Sequence, residues 1–88
     1  MGNANDIRPL DLRILRALRD ERNVPINLAE ELDSHRNYIS NRLNHLQQHE
    51  LVQQVGSTRT GLYEITPTGI RLIKERTSDG TTQQTFNL

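Results

Sequence analysis

Between Leu32 and Ile39 the chain carries no aliphatic side chain, yet apolar residues recur at helical spacing on both sides of that gap. Upstream lie Leu28, Ala29 and Leu32; downstream lie Ile39, Leu43 and Leu46. A stripe spaced by three and four residues buries one face of a helix. Two stripes this close require two short helices joined by a tight turn at residues 33–35. Ala29 narrows the choice further, because a small residue inside the first helix lets two helix axes cross closely. Leu32, Ile39 and Leu43 follow it by three, ten and fourteen residues. That spacing plugs the second helix of a helix-turn-helix onto the first.

The flanking segments complete one small domain. Ile7, Leu10, Ile14, Leu15 and Leu18 form a stripe for a first helix over about residues 9–21, with Pro9 in its first turn, where a missing N–H costs nothing. Leu12 points away from that stripe, as an exposed apolar residue or part of a partner surface. Val24-Pro25-Ile26 breaks the helix and reads as a short extended piece. Asn27 is the expected N-cap of a second helix over residues 28–32. Ser34 or His35 starts a third over about residues 36–49. Residues 51–55 and 62–65 read as two strands, and residues 56–61, with Gly at each end, as the loop between them. Thr66 caps a fourth helix with Pro67 as its first residue. Ile70, Leu72 and Ile73 anchor it, and it ends within residues 77–80. The fold class is mainly α with a small β-hairpin (α+β), in the order helix, strand, helix, helix, strand, strand, helix. Residues 9–78 form the domain; residues 1–8 and 79–88 are flexible ends.

Composition removes several function classes. The chain has 88 residues, no cysteine, and three aromatic residues, Tyr38, Tyr63 and Phe86, so aliphatic side chains carry the core. Disulfides, thiolate metal sites and cysteine nucleophiles are excluded. No apolar run approaches the roughly 18–20 residues of a membrane span, and no signal-peptide pattern opens the chain, so the expectation is a cytoplasmic protein. No Ser/His/Asp set, paired acid or phosphate-cradling glycine loop is evident, and an enzyme, a cofactor and a small-molecule ligand are not expected. His45 and His49 are four apart, a spacing that can chelate a metal, but no carboxylate or Cys accompanies them and no metal site is assigned. With His35 they also offer a pH response.

Net charge is zero, which is not the global sign of a nucleic-acid binder. The distribution is uneven. Residues 1–33 hold five Arg against seven acids, and residues 34–63 hold Arg36, Arg42 and Arg59 against Glu50. Residues 34–49 contain no acid at all.

At these residues the chain resembles a known family. Leu28-Ala29-Glu30-Glu31-Leu32, Ile39-Ser40-Asn41-Arg42-Leu43, Leu46 and Leu51-Val52 resemble winged helix-turn-helix regulators of the MarR and ArsR type. Gly61-Leu62-Tyr63-Glu64-Ile65-Thr66-Pro67-Thr68-Gly69 resembles their wing strand and following helix cap. Tyr38-Ile39-Ser40-Asn41-Arg42-Leu43 together with that run is most similar to short archaeal regulators of the haloarchaeal phage-repressor type. The resemblance spans about residues 9–75. It departs at Asp33, where the turn commonly has Gly, and at Glu50, where Gly often precedes the first wing strand. Asp33 would disfavour close phosphate approach there.

The resemblance implies double-stranded DNA as partner, a recognition helix over about residues 35–49 in the major groove, and a wing at residues 56–61 on the backbone or minor groove. Rotation by about 100° per residue with Ile39 inward turns Asn37, Asn41, Asn44 and Gln48 outward, flanked by Ser40 and His45. Asn and Gln can bond adenine bidentately. Arg36 stands at the helix start, where phosphates are held. Arg42 lies nearer the buried edge, where it reaches a phosphate or covers the core with its stem. Tyr38 is lateral, its ring on the core and its hydroxyl available to a phosphate; Tyr63 belongs to the core or an interface. At the wing tip, Ser57, Thr58, Arg59 and Thr60 suit a phosphate or a narrow minor groove. The expected regulator is a repressor and a homodimer on a pseudo-palindromic site, with Leu12 and Leu72 as candidates for the dimer surface. The alternative is a protein-interaction winged helix in a larger assembly without DNA binding, which the zero net charge favours.

Overall fold

The structure is a computed structural model that describes residues 7–56 and 61–81, of residues 77–81 the backbone alone. Four helices and a hairpin follow in the order α1 Pro9–Asp20, α2 Pro25–Glu31, α3 Arg36–Gln48, β1 Val52–Gln54, β2 Tyr63–Ile65 and α4 Pro67–Thr81. One core joins them all. It is built from Ile14, Leu15 and Leu18 of α1, Leu28 and Ala29 of α2, Ile39, Leu43 and Leu46 of α3, Leu51, Val52, Tyr63 and Ile73. Every stripe residue that set the helix-turn-helix is buried except Leu32, which packs partly against the core. Tyr63 is therefore a core residue.

The second helix starts earlier than its sequence suggests. Pro25 does not break the chain there; it is the first residue of α2, with Val24 rather than Asn27 at the N-cap. The first helical N–H has no intrahelical acceptor, and proline's fixed φ already suits the helix. The Leu28 amide donates to the Val24 carbonyl at 3.0 Å, closing the first turn. The extended piece lies one step upstream, at Asn23, which exchanges two backbone hydrogen bonds with Tyr63 at 3.1 and 2.8 Å.

The hairpin pairs antiparallel in the register Val52 with Ile65, Gln53 with Glu64 and Gln54 with Tyr63. Strand β1 starts later than expected because the Leu51 amide belongs to the end of α3, donating to the Leu46 carbonyl at 2.9 Å; beyond its other end the Val55 amide still donates to the Leu62 carbonyl at 2.8 Å. The wing tip, Ser57 to Thr60, lies outside the described residues. Helix α4 runs on to Thr81; no proline stops it, and a glycine near its end, Gly80, costs only about 1 kcal/mol. Among the described residues no helix is long and apolar enough to cross a membrane.

Helices α2 and α3 end in the same way. At the end of α2, Ser34 donates to the Ala29 carbonyl at 2.8 Å and Asp33 to Glu30 at 3.3 Å. At the end of α3, Leu51 donates to Leu46 and Glu50 to Gln47, both at 2.9 Å. This is the Schellman arrangement, whose penultimate residue takes a left-handed conformation. Asp33 (φ 54°) and Glu50 (φ 62°) occupy those positions. They are the two places where the sequence departs from a glycine, so both turns keep the glycine geometry without the glycine.

The start of α4 is fixed by its Thr-Pro-Thr-Gly segment. Thr66 Oγ1 donates to the Glu50 carbonyl at 2.7 Å and accepts from the Gly69 amide at 3.1 Å. Gly69 is required for a separate reason: a Cβ there would fall on the Leu51 carbonyl oxygen and lie 2.7 Å from Ile65 Cγ1. One cap thus joins the end of α3, the hairpin and α4.

Candidate nucleic-acid interface

Helix α3 is held by its inner face and by one buried ion pair, which leaves its outer face open. Ile39, Leu43 and Leu46 are fully buried. Opposite them, Asn37, Asn41, Asn44 and Gln48 are exposed, as is Arg36 in the first turn; Ser40 and His45 at the margins are half-buried. The amides offer a donor NH2 and an acceptor carbonyl on each of four neighbouring side chains. Because residues 34–49 lack acids, no carboxylate on the helix competes for an incoming phosphate.

Arg42 resolves to an inward position. Its Nε donates to Asp11 Oδ1 at 2.8 Å and its Nη2 to Asp11 Oδ2 at 2.7 Å. The Arg42 side chain is 11% exposed and that of Asp11 0%. The Arg8 amide gives Asp11 Oδ2 a further hydrogen bond at 2.9 Å, which satisfies one of the open N–H groups at the start of α1. The carboxylate also lies in the first turn of α1, where the helix dipole favours negative charge. The pair is bidentate, the strongest arrangement open to these groups. It ties the start of α1 to the middle of α3 and spends the Arg42 guanidinium on the fold.

The lateral residues also have defined places. Tyr38 is 38% exposed, and its hydroxyl accepts a hydrogen bond from Arg8 Nη1 at 3.1 Å. Arg8 was not among the site residues expected from sequence, because it precedes the first helix and its neighbour Tyr38 is thirty positions away. His45 and His49 meet edge to face with ring centroids 4.6 Å apart. The buried His45 Nε2 has no hydrogen-bond partner among the described residues. Among those residues no group of three or more His, Cys, Asp or Glu is placed to hold a metal. Leu12 is half-buried rather than exposed, and Leu72 packs partly against the core.

No family model matches the sequence, and no curated protein matches it. Solved structures do resemble it. An apo form of a double variant of ZitR from Lactococcus lactis superposes with a TM-score of 0.73 at 21% identity, over 90% of this chain and 62% of that one. A second structure of the same variant gives a TM-score of 0.66 at 23% identity, over 76% of this chain and 48% of that one. The fold is a winged helix. The chain spans less than two thirds of the ZitR chains it matches. At this identity the likeness concerns architecture, and the chemistry of the α3 face stands on this chain's own residues.

Proposed function

We propose that the protein is a sequence-specific double-stranded DNA-binding transcriptional regulator of the MarR/ArsR type that reads the major groove with α3. The observation that carries this reading is the outer face of α3. Four exposed amide side chains, with Arg36 at the helix start, project from a stretch without acids. Asn41 and its neighbours address base edges, adenine above all, and Arg36 holds a phosphate. Arg59 and its hydroxyl neighbours at the wing tip address the backbone or minor groove. One such module reads only a few base pairs, so the protein acts as a homodimer on two half-sites and represses by occupying a promoter.

The test is a mobility-shift titration against random and genomic fragments at several salt concentrations. Affinity is expected to fall steeply as salt rises, because bound phosphates release counterions. No shift at low salt, even with the native upstream region, overturns the proposal. That outcome would favour a winged helix that binds another protein, a reading supported by the zero net charge.

A further inference from the structure

Among the described residues two large hydrophobic side chains are exposed, Ile26 at 53% and Tyr38 at 38%. A single exposed isoleucine is ordinary. The position of this one is informative. Tyr38 borders the outer face of α3 on the α1 side, and Ile26 borders it on the α2 side. Ile26 is the second residue of α2 and lines a shallow depression of about 370 Å³ together with Val24, Pro25, Arg36, Asn37 and Ser40. Three of these lining residues belong to the first turns of α3. The root of the wing lies close by, since a Cβ built on Gly61 would sit 4.0 Å from Pro25 Cδ.

We infer that Ile26 is a specificity residue that receives the C5-methyl of a thymine in the major groove. The inference rests on the DNA-binding reading and names one base that reading must include. The N-terminal residues of a recognition helix are the ones that meet base edges. Here those residues are Asn37 and Ser40, with Arg36 on a phosphate beside them, and the wall next to them is the Ile26 side chain. A T·A pair presents two things in the major groove that this depression can use: the adenine N6/N7 edge and the thymine methyl. Asn37 supplies the complementary amide and Ile26 the apolar contact, on the same or the adjoining base pair. The arrangement explains why an aliphatic residue stands at a solvent-facing position of a helix that begins with proline. It also gives the amide-rich face a way to sense which strand carries the thymine.

The test uses the full chain and a duplex selected from a random library for tight binding. Each thymine of that duplex is replaced singly by deoxyuridine, which removes only the methyl group, and the affinity is measured. One thymine in each half-site is expected to lose about fourfold, the value of one buried methyl. With Ile26→Ala the overall affinity falls and the deoxyuridine penalty at that thymine disappears; with Ile26→Val the penalty remains. Because Ile26 is more than half exposed, the variants are expected to keep the thermal midpoint of the parent. Selective binding with no penalty at any thymine overturns the role of Ile26 and leaves the DNA reading standing. So does a penalty that survives Ile26→Ala. Failure to select any duplex overturns both.

Discussion

Removing the Asp11 carboxylate tests whether the buried ion pair holds α3 in place. In Asp11→Ala the Arg42 guanidinium, 11% exposed, loses the carboxylate toward which both Nε and Nη2 point, and the Arg8 amide loses its acceptor. Breaking a buried pair by deleting one partner costs about 3–5 kcal/mol. A domain of this length has a total stability of roughly 4–13 kcal/mol. The variant is therefore expected to lose a large part of its stability, and its thermal midpoint to fall by more than about 12 °C. Urea denaturation followed by far-ultraviolet circular dichroism measures the loss. Arg42→Met strands Asp11, which is 0% exposed, and should cost a similar amount. The pair Asp11→Leu with Arg42→Met replaces both charges with apolar groups and should recover to within about 2 kcal/mol of the parent. With the single Asp11→Leu variant closing the double-mutant cycle, the coupling energy is expected to be about 3 kcal/mol or more. A loss below about 1 kcal/mol for Asp11→Ala, or an additive cycle, would place the pair among exposed ion pairs and refute the reasoning. On the proposed function, the double variant also tests the role of Arg42: if its guanidinium serves only the fold, DNA affinity and its salt slope stay as in the parent.

Three further outcomes follow from particular residues. Glu50→Gly and Asp33→Gly should each raise stability by about 1 kcal/mol, since both residues hold a left-handed backbone that glycine adopts without a Cβ penalty; chemical denaturation checks this, and a loss would mean that the side chains make compensating contacts. Gly69→Ala should cost at least about 1–3 kcal/mol, because the new Cβ meets the Leu51 carbonyl and Ile65; an unchanged midpoint would show that the cap can shift. On the proposed function, Arg36→Ala should weaken all duplexes alike and lower the salt slope by about one. Asn41→Ala should instead change the preferred base at one position by about 1–3 kcal/mol; binding curves on a set of single-base variants separate the two.

Much of the fold is legible in the sequence because local rules set it. The stripes of α1 and α3 and the Thr66–Gly69 cap each depend on residues within a few positions of one another, and the two strands pair across one short loop. The misread positions depend on partners far along the chain. Pro25 looks like a breaker until Asn23 is seen paired with Tyr63, which ends the preceding segment and lets the proline open α2. Asp11 carries a sequence signal of its own: it sits three and four residues before Ile14 and Leu15, on the buried stripe itself. A carboxylate in an apolar stripe calls for a cation, and Arg42, at the buried edge of α3, was the matching one. Nothing in local periodicity joins two positions thirty-one residues apart. The outer face of α3 was readable because it is defined by what the core leaves over. Ile26 was not, since its exposure depends on where the α2 helix begins.

The inward turn of Arg42 alters what the α3 face can contribute to binding. With that guanidinium engaged by Asp11, Arg36 is the exposed arginine of α3, and the rest of its outward face is uncharged amide. Counterion release, the main source of sequence-independent affinity, scales with the number of phosphates neutralised. On the proposed function, a helix that offers one exposed cation and four amides contributes little to indiscriminate binding and much to discrimination between bases. The zero net charge of the chain works in the same direction. On the proposed reading the two facts are complementary: the ion pair moves one arginine from the interface into the fold, and the ratio of specific to non-specific affinity rises because the non-specific part is small.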